Sequence, residues 1–576
     1  MKLRSFFSFL IVSIIALLAV GAGAFYWLKD PTPLNLLQGG STRVPAATIF
    51  IPKNAPMMLS ILENPDKLEA LGQKFAPAQE KGKIHSEFNQ IKKSFLVNSG
   101  LNYSRDIQPW IGNEVTLAIA ENDFDYDSSN GQQIGLLLAV ESDNIERSRE
   151  CIERFWQKSV TGKELVSVQY KGVKLMYRQK QIDRNITPLF SEISPTLATA
   201  IVPSGSTNQH SFVLFANHPK VLREAINNVQ AANLNLSNNY QYQQALQQLK
   251  NGRIAVAFVN LSELNQTIGG QKEIGRQVKE SLKNSTTNLA FTIGVKPLGL
   301  LAESILLLPE GQDLPLPLVM LESAPIKALN YIPAASPFVA ASVDLNHLWD
   351  RISAKVAGNN FLSKLLNQPI ADLQVNWGID LVKDIFKSVH GEYVLALLPH
   401  PDRALPDWIF VAEKSPDLTK AIAHLDEIAA SQNYSIGNFS LDNQQISAWT
   451  KLTTSTNFNR QVIKAEARGV RATVGNYEVF TSSVEAMDAV LKASELGSLA
   501  GNSEFQNAIA FLPQLNNGYL YLDWQSSREI WERGIPFLRL IELSGKPFFD
   551  HWRSLTLTST GGDAGIQRAS MFIRLN

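Results

Sequence analysis

The sequence predicts an α+β protein: one N-terminal transmembrane helix, then two tandem related halves of mostly antiparallel or mixed sheet with packed helices. Three observations predict it. Phe6–Leu28 is an apolar run without a charged residue. Several sequence features recur in the same order in two parts of the chain. Strand-like segments are joined by short turns, and helical periodicity separates groups of strands rather than alternating with them, which favours antiparallel or mixed sheets.

The N-terminal run comes first. A helix rising about 1.5 Å per residue over Phe6–Leu28 is long enough for a hydrocarbon core of roughly 30 Å. Lys2 and Arg4 precede it and favour a cytoplasmic N-terminus. Tyr26 and Trp27 sit at its far end, where aromatic rings prefer the membrane–water interface. Ala22-Gly23-Ala24 also fits a signal-peptide cleavage site, but the apolar run continues through Leu28 and suits a retained anchor better. No later segment is comparably long and uncharged, so a single-pass protein is expected. Asp30-Pro31-Thr32-Pro33 and Gln38-Gly39-Gly40 interrupt regular structure and read as a stalk. The expected organisation is a cytoplasmic tip and anchor over 1–28, a stalk over 29–43, and related halves over 44–322 and 323–576.

The internal repeat rests on four pairs of segments. Ile51-Pro52-Lys53-Asn54-Ala55-Pro56 and Ile332-Pro333-Ala334-Ala335-Ser336-Pro337 share their proline spacing, and each leads into strand-like sequence. Gly100–Ala118 aligns without a gap on Gly378–Ala396, matching Asp106 to Asp384 and Glu114 to Glu392. Ser211–Ala216 resembles Asn476–Thr481, and each precedes an amphipathic helix, Pro219–Val229 or Val484–Leu491. Tyr242-Gln243-Gln244-Ala245-Leu246 resembles Phe505-Gln506-Asn507-Ala508-Ile509. Each then leads through an Asn-Gly pair, Asn251-Gly252 or Asn517-Gly518, toward a strand.

Composition excludes several classes. Among 576 residues, 53 are Lys or Arg and 53 are Asp or Glu. The absence of a basic excess argues against a bulk nucleic-acid binder. Gly and Pro content is far from collagen-like. One cysteine, Cys151, allows no internal disulfide; on an amphipathic helix over Asn144–Lys158 it reads as a packing residue.

A basic tip, a single span, a Pro/Gly stalk, the Ile51–Pro56 start and the Trp110-Ile111-Gly112-Asn113-Glu114 block together resemble a cyanobacterial membrane-anchored family, domain-of-unknown-function family 3352. The resemblance implies an exported setting, periplasmic or thylakoid-lumenal, and supplies no catalytic residues. In the second half, Ser388-Val389-His390-Gly391-Glu392 replaces the tryptophan block, and only the glutamate is shared.

The search for chemistry leaves little. No HExxH, P-loop or GxSxG motif occurs, and no two of the eight histidines stand four apart. No catalytic, cofactor-binding or metal-binding set emerges, and no cofactor is expected. The weak cation-site candidate is Asp123, Asp125 and Asp127; a calcium loop starting at Asp123 would need Gly and Glu where Ser128 and Ile134 stand. The dispersed tryptophans read as core, or alternatively as an aromatic docking face. The leading expectation is a membrane-tethered, non-enzymatic scaffold or assembly factor. Its partners would be the membrane, through Phe6–Leu28, and a protein at that membrane, not nucleic acid. Two alternatives stand beside it: a carrier or chaperone for a lipid or other apolar ligand, and a hydrolase whose site is assembled from remote residues.

Overall fold

The structure is a computed structural model. It describes residues 40–64, 101–127, 132–158, 164–179, 197–203, 211–268, 287–308, 326–346, 380–400, 403, 406–457, 460–528, 552–563 and 566–575. Lys2, Arg4, Phe6–Leu28 and most of the expected stalk lie outside them.

The first series of strands is β1 (Met57–Ile61), β2 (Ile111–Glu121), β3 (Gly135–Ser142), β4 (Glu164–Tyr170), β5 (Val173–Gln179), β6 (Ala198–Pro203), β7 (Ser211–Ala216), β8 (Ala255–Asn260), β9 (Asn288–Lys296) and β10 (Gly299–Leu307). The second is β11 (Phe338–Val343), β12 (Glu392–Leu398), β13 (Asp407–Glu413), β14 (Ser435–Leu441), β15 (Gln444–Asn457), β16 (Arg460–Val474), β17 (Tyr477–Thr481), β18 (Gly518–Asp523), β19 (Trp552–Asp563) and β20 (Ile566–Leu575). In space the first series runs β4-β5-β6-β7-β3-β2-β1-β8-β9-β10. The second runs β14-β15-β16-β17-β13-β12-β11-β18-β19-β20. The two orders are the same, strand for strand.

β10 and β20 pair with each other, which joins the series into one 20-stranded sheet. Every strand pairing among the described residues is antiparallel. At roughly 4.8 Å per strand the sheet extends about 90 Å from β4 to β14. The register of the seam repeats itself: Gly299 faces Arg574, Leu307 faces Ile566, and Glu303 faces Ser570 at the centre.

Both faces of the sheet are covered because its strands carry apolar residues in both directions. Helix α1 (Ile145–Lys158) lays Cys151, Ile152, Phe155 and Trp156 against Val140 and Val213 on one face. Helices α2 (Pro219–Gln230) and α3 (Tyr240–Gln248) bury Leu222, Ile226, Tyr242 and Leu246 on the other, against Leu137, Ala139 and Leu214. α4 (Leu261–Ile268) follows β8. The second series repeats the layers with α5 (Pro416–Ser431), α6 (Val484–Leu491) and α7 (Ser503–Ile509). Helix starts are fixed locally. Pro416 follows the Ser415 cap, whose side chain accepts from Leu418 N–H, and Ser483 accepts from Ala486 N–H.

This corrects the expected α+β architecture. Of the expected antiparallel or mixed sheet only the antiparallel form is seen among the described residues, and the halves share one sheet. The physical reason is the edge: β10 and β20 each end a series with unpaired backbone groups, and pairing them satisfies both. The expected N-terminal transmembrane helix, Phe6–Leu28, forms no part of the described architecture, since its residues lie outside it. No helix among the described residues is long and apolar enough to cross a membrane, and the longest, α5, has 16 residues.

Candidate functional site

The buried polar groups are the first place to look for chemistry, and several of them hold the chain entries. Glu114 on β2 is 2% exposed. Its carboxylate accepts from Ala46 N–H at 2.7 Å, Ala47 N–H at 2.8 Å and the Thr116 hydroxyl at 3.0 Å. It thereby caps the short 3-10 turn Ala46–Phe50 that leads into Ile51-Pro52. Burial pushes the carboxyl above its ordinary pKa, against the pull of the Ala47 and Ala46 N–H groups. Glu392 on β12 does the same at the second entry: it accepts from Ala328 N–H at 3.0 Å and from the Tyr477 hydroxyl at 2.7 Å.

The proline-spaced segments also dock alike. Leu236 N–H donates to Ile51 C=O, and Leu499 N–H to Ile332 C=O. Asn239 donates to Lys53 C=O and Asn502 to Ala334 C=O. Before β2, Asn102 N–H donates to the Asp106 carboxylate and the Asn102 side chain accepts from Arg105 N–H; before β12, Asp380 N–H donates to the Asp384 carboxylate and the Asp380 side chain accepts from Lys383 N–H. Asp106 is fully buried and also pairs with Arg105 and Arg154. The Arg105 bond holds its carboxyl well below the usual carboxylate range. Its backbone carbonyl accepts from Trp110 Nε1, which gives the first-half tryptophan a packing role.

The residues singled out from the sequence fall as follows. Asp123 accepts from Gln133 N–H at 3.3 Å and Asp125 from Asp127 N–H at 3.1 Å, so these carboxylates brace their own loop. Burial and the neighbouring Asp125 raise the Asp123 pKa. Among the described residues no group of three or more His, Cys, Asp or Glu side chains is placed to hold a metal ion. Cys151 is buried, and burial pushes its thiol up to about 11. His390 lies 3.6 Å from Asp417 and His424 3.6 Å from Glu427, on the surface. His218 caps α2 and stacks on Phe124. His85, His210, His347, His551, Trp349 and Trp377 lie outside the described residues. Trp156 and Trp524 are buried; Trp524 stacks on Trp552 at 4.7 Å.

Two features were not foreseen. The first is a groove of about 490 Å³ between α3 and the entering chain, lined by Thr42, Val44, Tyr242, Leu246, Leu249 and Arg253, with Lys250 beside them. Arg253 is 4% exposed and Tyr242 1%. The guanidinium donates to Leu249 C=O at 2.8 Å and Thr42 C=O at 3.1 Å. Its Nε–H and the Tyr242 hydroxyl, both sealed from solvent, have no hydrogen-bond partner among the described residues. No carboxylate pairs with Arg253 among the described residues. Burial lowers the arginine pKa and raises that of the phenol.

The second feature is β14. It pairs only with β15 among the described residues, and Ser435–Ser440 are exposed one after another, including Ile436 and Phe439.

With this geometry in view, comparison with known proteins adds one result. A family model described as a protein of unknown function, DUF3352, matches residues 10–575. The chain belongs to that family. No curated protein and no solved structure matches it. Membership in DUF3352 therefore assigns the chain no activity, and the geometry must carry any functional reading.

Proposed function

We propose that this DUF3352 protein is a non-enzymatic scaffold or assembly factor for membrane complexes. Its membrane partner is reached through the uncharged run Phe6–Leu28, which lies outside the described residues. The bulk of the chain is placed in a periplasm or thylakoid lumen with the N-terminus cytoplasmic, on the evidence of Lys2 and Arg4. Residues 44–322 and 323–576 are read as products of an internal duplication. The identical strand order of the two series supports that.

One observation carries the scaffold reading. β14 is an edge strand of sequence Ser-Ile-Gly-Asn-Phe-Ser-Leu with no charge, no proline and exposed apolar side chains. Proteins normally blunt such edges with lysine, proline or a bulge. With no second neighbour among the described residues, this edge suits an extended, uncharged segment of a partner protein that adds as a further strand, with main-chain hydrogen bonds supplying affinity. The sheet behind it is a broad support, fixed at both chain entries by Glu114 and Glu392.

A photo-crosslinking residue replacing Phe439 in the full chain, in its native cells, tests this. It is expected to give a covalent adduct with a second polypeptide, and Ile436→Lys in the same chain is expected to suppress the adduct. The same crosslinker at Lys420, an exposed position on α5, is the control. Equal labelling from both positions, or an adduct indifferent to Ile436→Lys, would sink the proposal.

A further inference from the structure

We infer that the protein docking at β14 is a second copy of this chain, paired antiparallel through its own β14 about a two-fold axis at Asn438. This rests on the reading of β14 as a docking edge and names the partner. β14 is itself an extended, uncharged segment of the kind that edge accepts. Residues facing each other across a ladder project on the same side of the sheet, so an axis perpendicular to the sheet sets one residue opposite itself. Centring the pair on Asn438 engages all of Ser435–Leu441. Asn438 then faces Asn438, Gly437 faces Phe439, Ile436 faces Ser440 and Ser435 faces Leu441.

The facing residues fit one another. A Cβ on Gly437 would meet nothing within 4 Å, and Phe439 is exposed. β15 sets the buried Ala448 beside Gly437 and the buried Ile446 beside Phe439, so both positions lie on the face that carries the core of the second series. The pairing lays each copy's Phe439 ring over the other's Gly437 and extends that core across the axis. An aromatic side chain opposite a strand glycine covers backbone that would otherwise stay bare. On the other face the Asn438 carboxamide oxygen accepts from Ser447 Oγ at 2.6 Å. Its NH2 group is left to donate to the carboxamide of the second copy. No charged residue lies in the strand, so no like charges meet across the axis.

β4, at the far end of the sheet, does not offer the same fit. That strand carries Glu164 and has no glycine for a ring to cover. β14 on β4 would also join copies head to tail without closure, whereas β14 on β14 closes at two. The strand pair is a small interface. Chains held on one membrane through Phe6–Leu28, as proposed, meet at the high effective concentration that such a contact needs. Two copies joined in this way carry one sheet through both, which doubles the support the scaffold offers.

Asn438→Cys in the full chain, oxidised in its native membranes, tests the assignment. Only a residue on the axis faces its own copy directly, so a disulfide-linked dimer is expected. Ile436→Cys, also exposed, would stand about 14 Å from its counterpart, beyond the roughly 7 Å a disulfide spans, and is expected to give none. The wild-type chain, whose one thiol is buried, is the blank. Adding Phe439→Ala to Asn438→Cys removes the ring over Gly437 and is expected to lower the dimer yield at least about threefold. As much dimer from Ile436→Cys as from Asn438→Cys, or a yield indifferent to Phe439→Ala, overturns the pairing. The mass of the Phe439 photo-adduct separates the two readings. An adduct with a protein other than this chain overturns the second copy and leaves β14 a docking edge, whereas no adduct and no disulfide overturns both.

Discussion

Glu114 and Asp106 are both buried acids near the first chain entry, yet their environments push them in opposite directions. Glu114 holds two otherwise unpaired N–H groups, so Glu114→Ala is expected to cost about 2–3 kcal/mol in urea unfolding, and Glu114→Gln, which keeps an acceptor, about 1 kcal/mol. The pH dependence separates them further. The Asp106 pKa is depressed, so its contribution is complete above the ordinary aspartate pKa and is lost as the pH falls below it. The Glu114 pKa is raised, so the folded state binds its proton more readily than the unfolded chain. Its contribution therefore grows as the pH falls from above the raised pKa toward the ordinary value. Unfolding measured across that range should show Asp106→Asn flattening the acid limb. Glu114→Gln should lose the gain between the raised and ordinary values; parallel curves for both variants and the wild type would refute the assignment. Glu114 was legible in the sequence because it kept its offset to Glu392 in an ungapped block. The Arg253–Tyr242 pair was not. Aligning Asn251-Gly252 on Asn517-Gly518 set Arg253 against Tyr519, whereas the ladders set it against Asn516. A local gap of three residues hid that difference between the series.

Among elements, strands with alternating or continuous apolar residues were read nearly to their ends: Met57–Ile61 and the helix Val484–Leu491 match as expected. β14 was missed because Gly437, Asn438 and its serines are poor strand formers, and its conformation is imposed by pairing with β15. β16 was expected only over Val470–Val474; it starts at Arg460 because β15 continues opposite it. The glycines of these elements differ sharply in what they do. Gly518 opens β18 at φ +103°, and a Cβ there would lie 2.0 Å from Ala341 C=O. Gly437 in β14 has open space around its Cβ position. Gly437→Ala is therefore expected to leave stability unchanged or raise it by about 0.5–1 kcal/mol, since the unfolded chain loses freedom. Gly518→Ala is expected to cost more than about 2 kcal/mol, through strain at positive φ and a backbone clash. Comparable thermal midpoints for the two variants would contradict the strand positions assigned to them.

At the scale of the molecule, the seam between β10 and β20 makes one sheet out of two series. Lys296 faces Gly299 across the β9–β10 hairpin, and Asp563 faces Ile566 across β19–β20, so Gly299 and Ile566 occupy equivalent places. Gly299 faces Arg574 and Leu307 faces Ile566 across the seam. Exchanging the two strands therefore reproduces the same register, as a local two-fold axis between Glu303 and Ser570 requires. Such a seam is the geometry of an isologous dimer written into one chain. Its centre also discriminates. A β10–β10 pair in this register would set Glu303 opposite Glu303, and like charges directly across a ladder are unfavourable. A β20–β20 pair would set Ser570 opposite Ser570 without that penalty. Residues 323–576 expressed alone are thus expected to dimerise through β20, while residues 44–322 stay monomeric at neutral pH and dimerise once Glu303→Ser removes the repulsion. Light scattering on the two separated halves, with circular dichroism to establish that each is folded, measures this. A folded 44–322 that dimerises as well as its Glu303→Ser variant would show that Glu303 does not govern the seam. Two folded halves that stay monomeric at high concentration would show that strand pairing at β10 and β20 is too weak to join the series without the intervening chain.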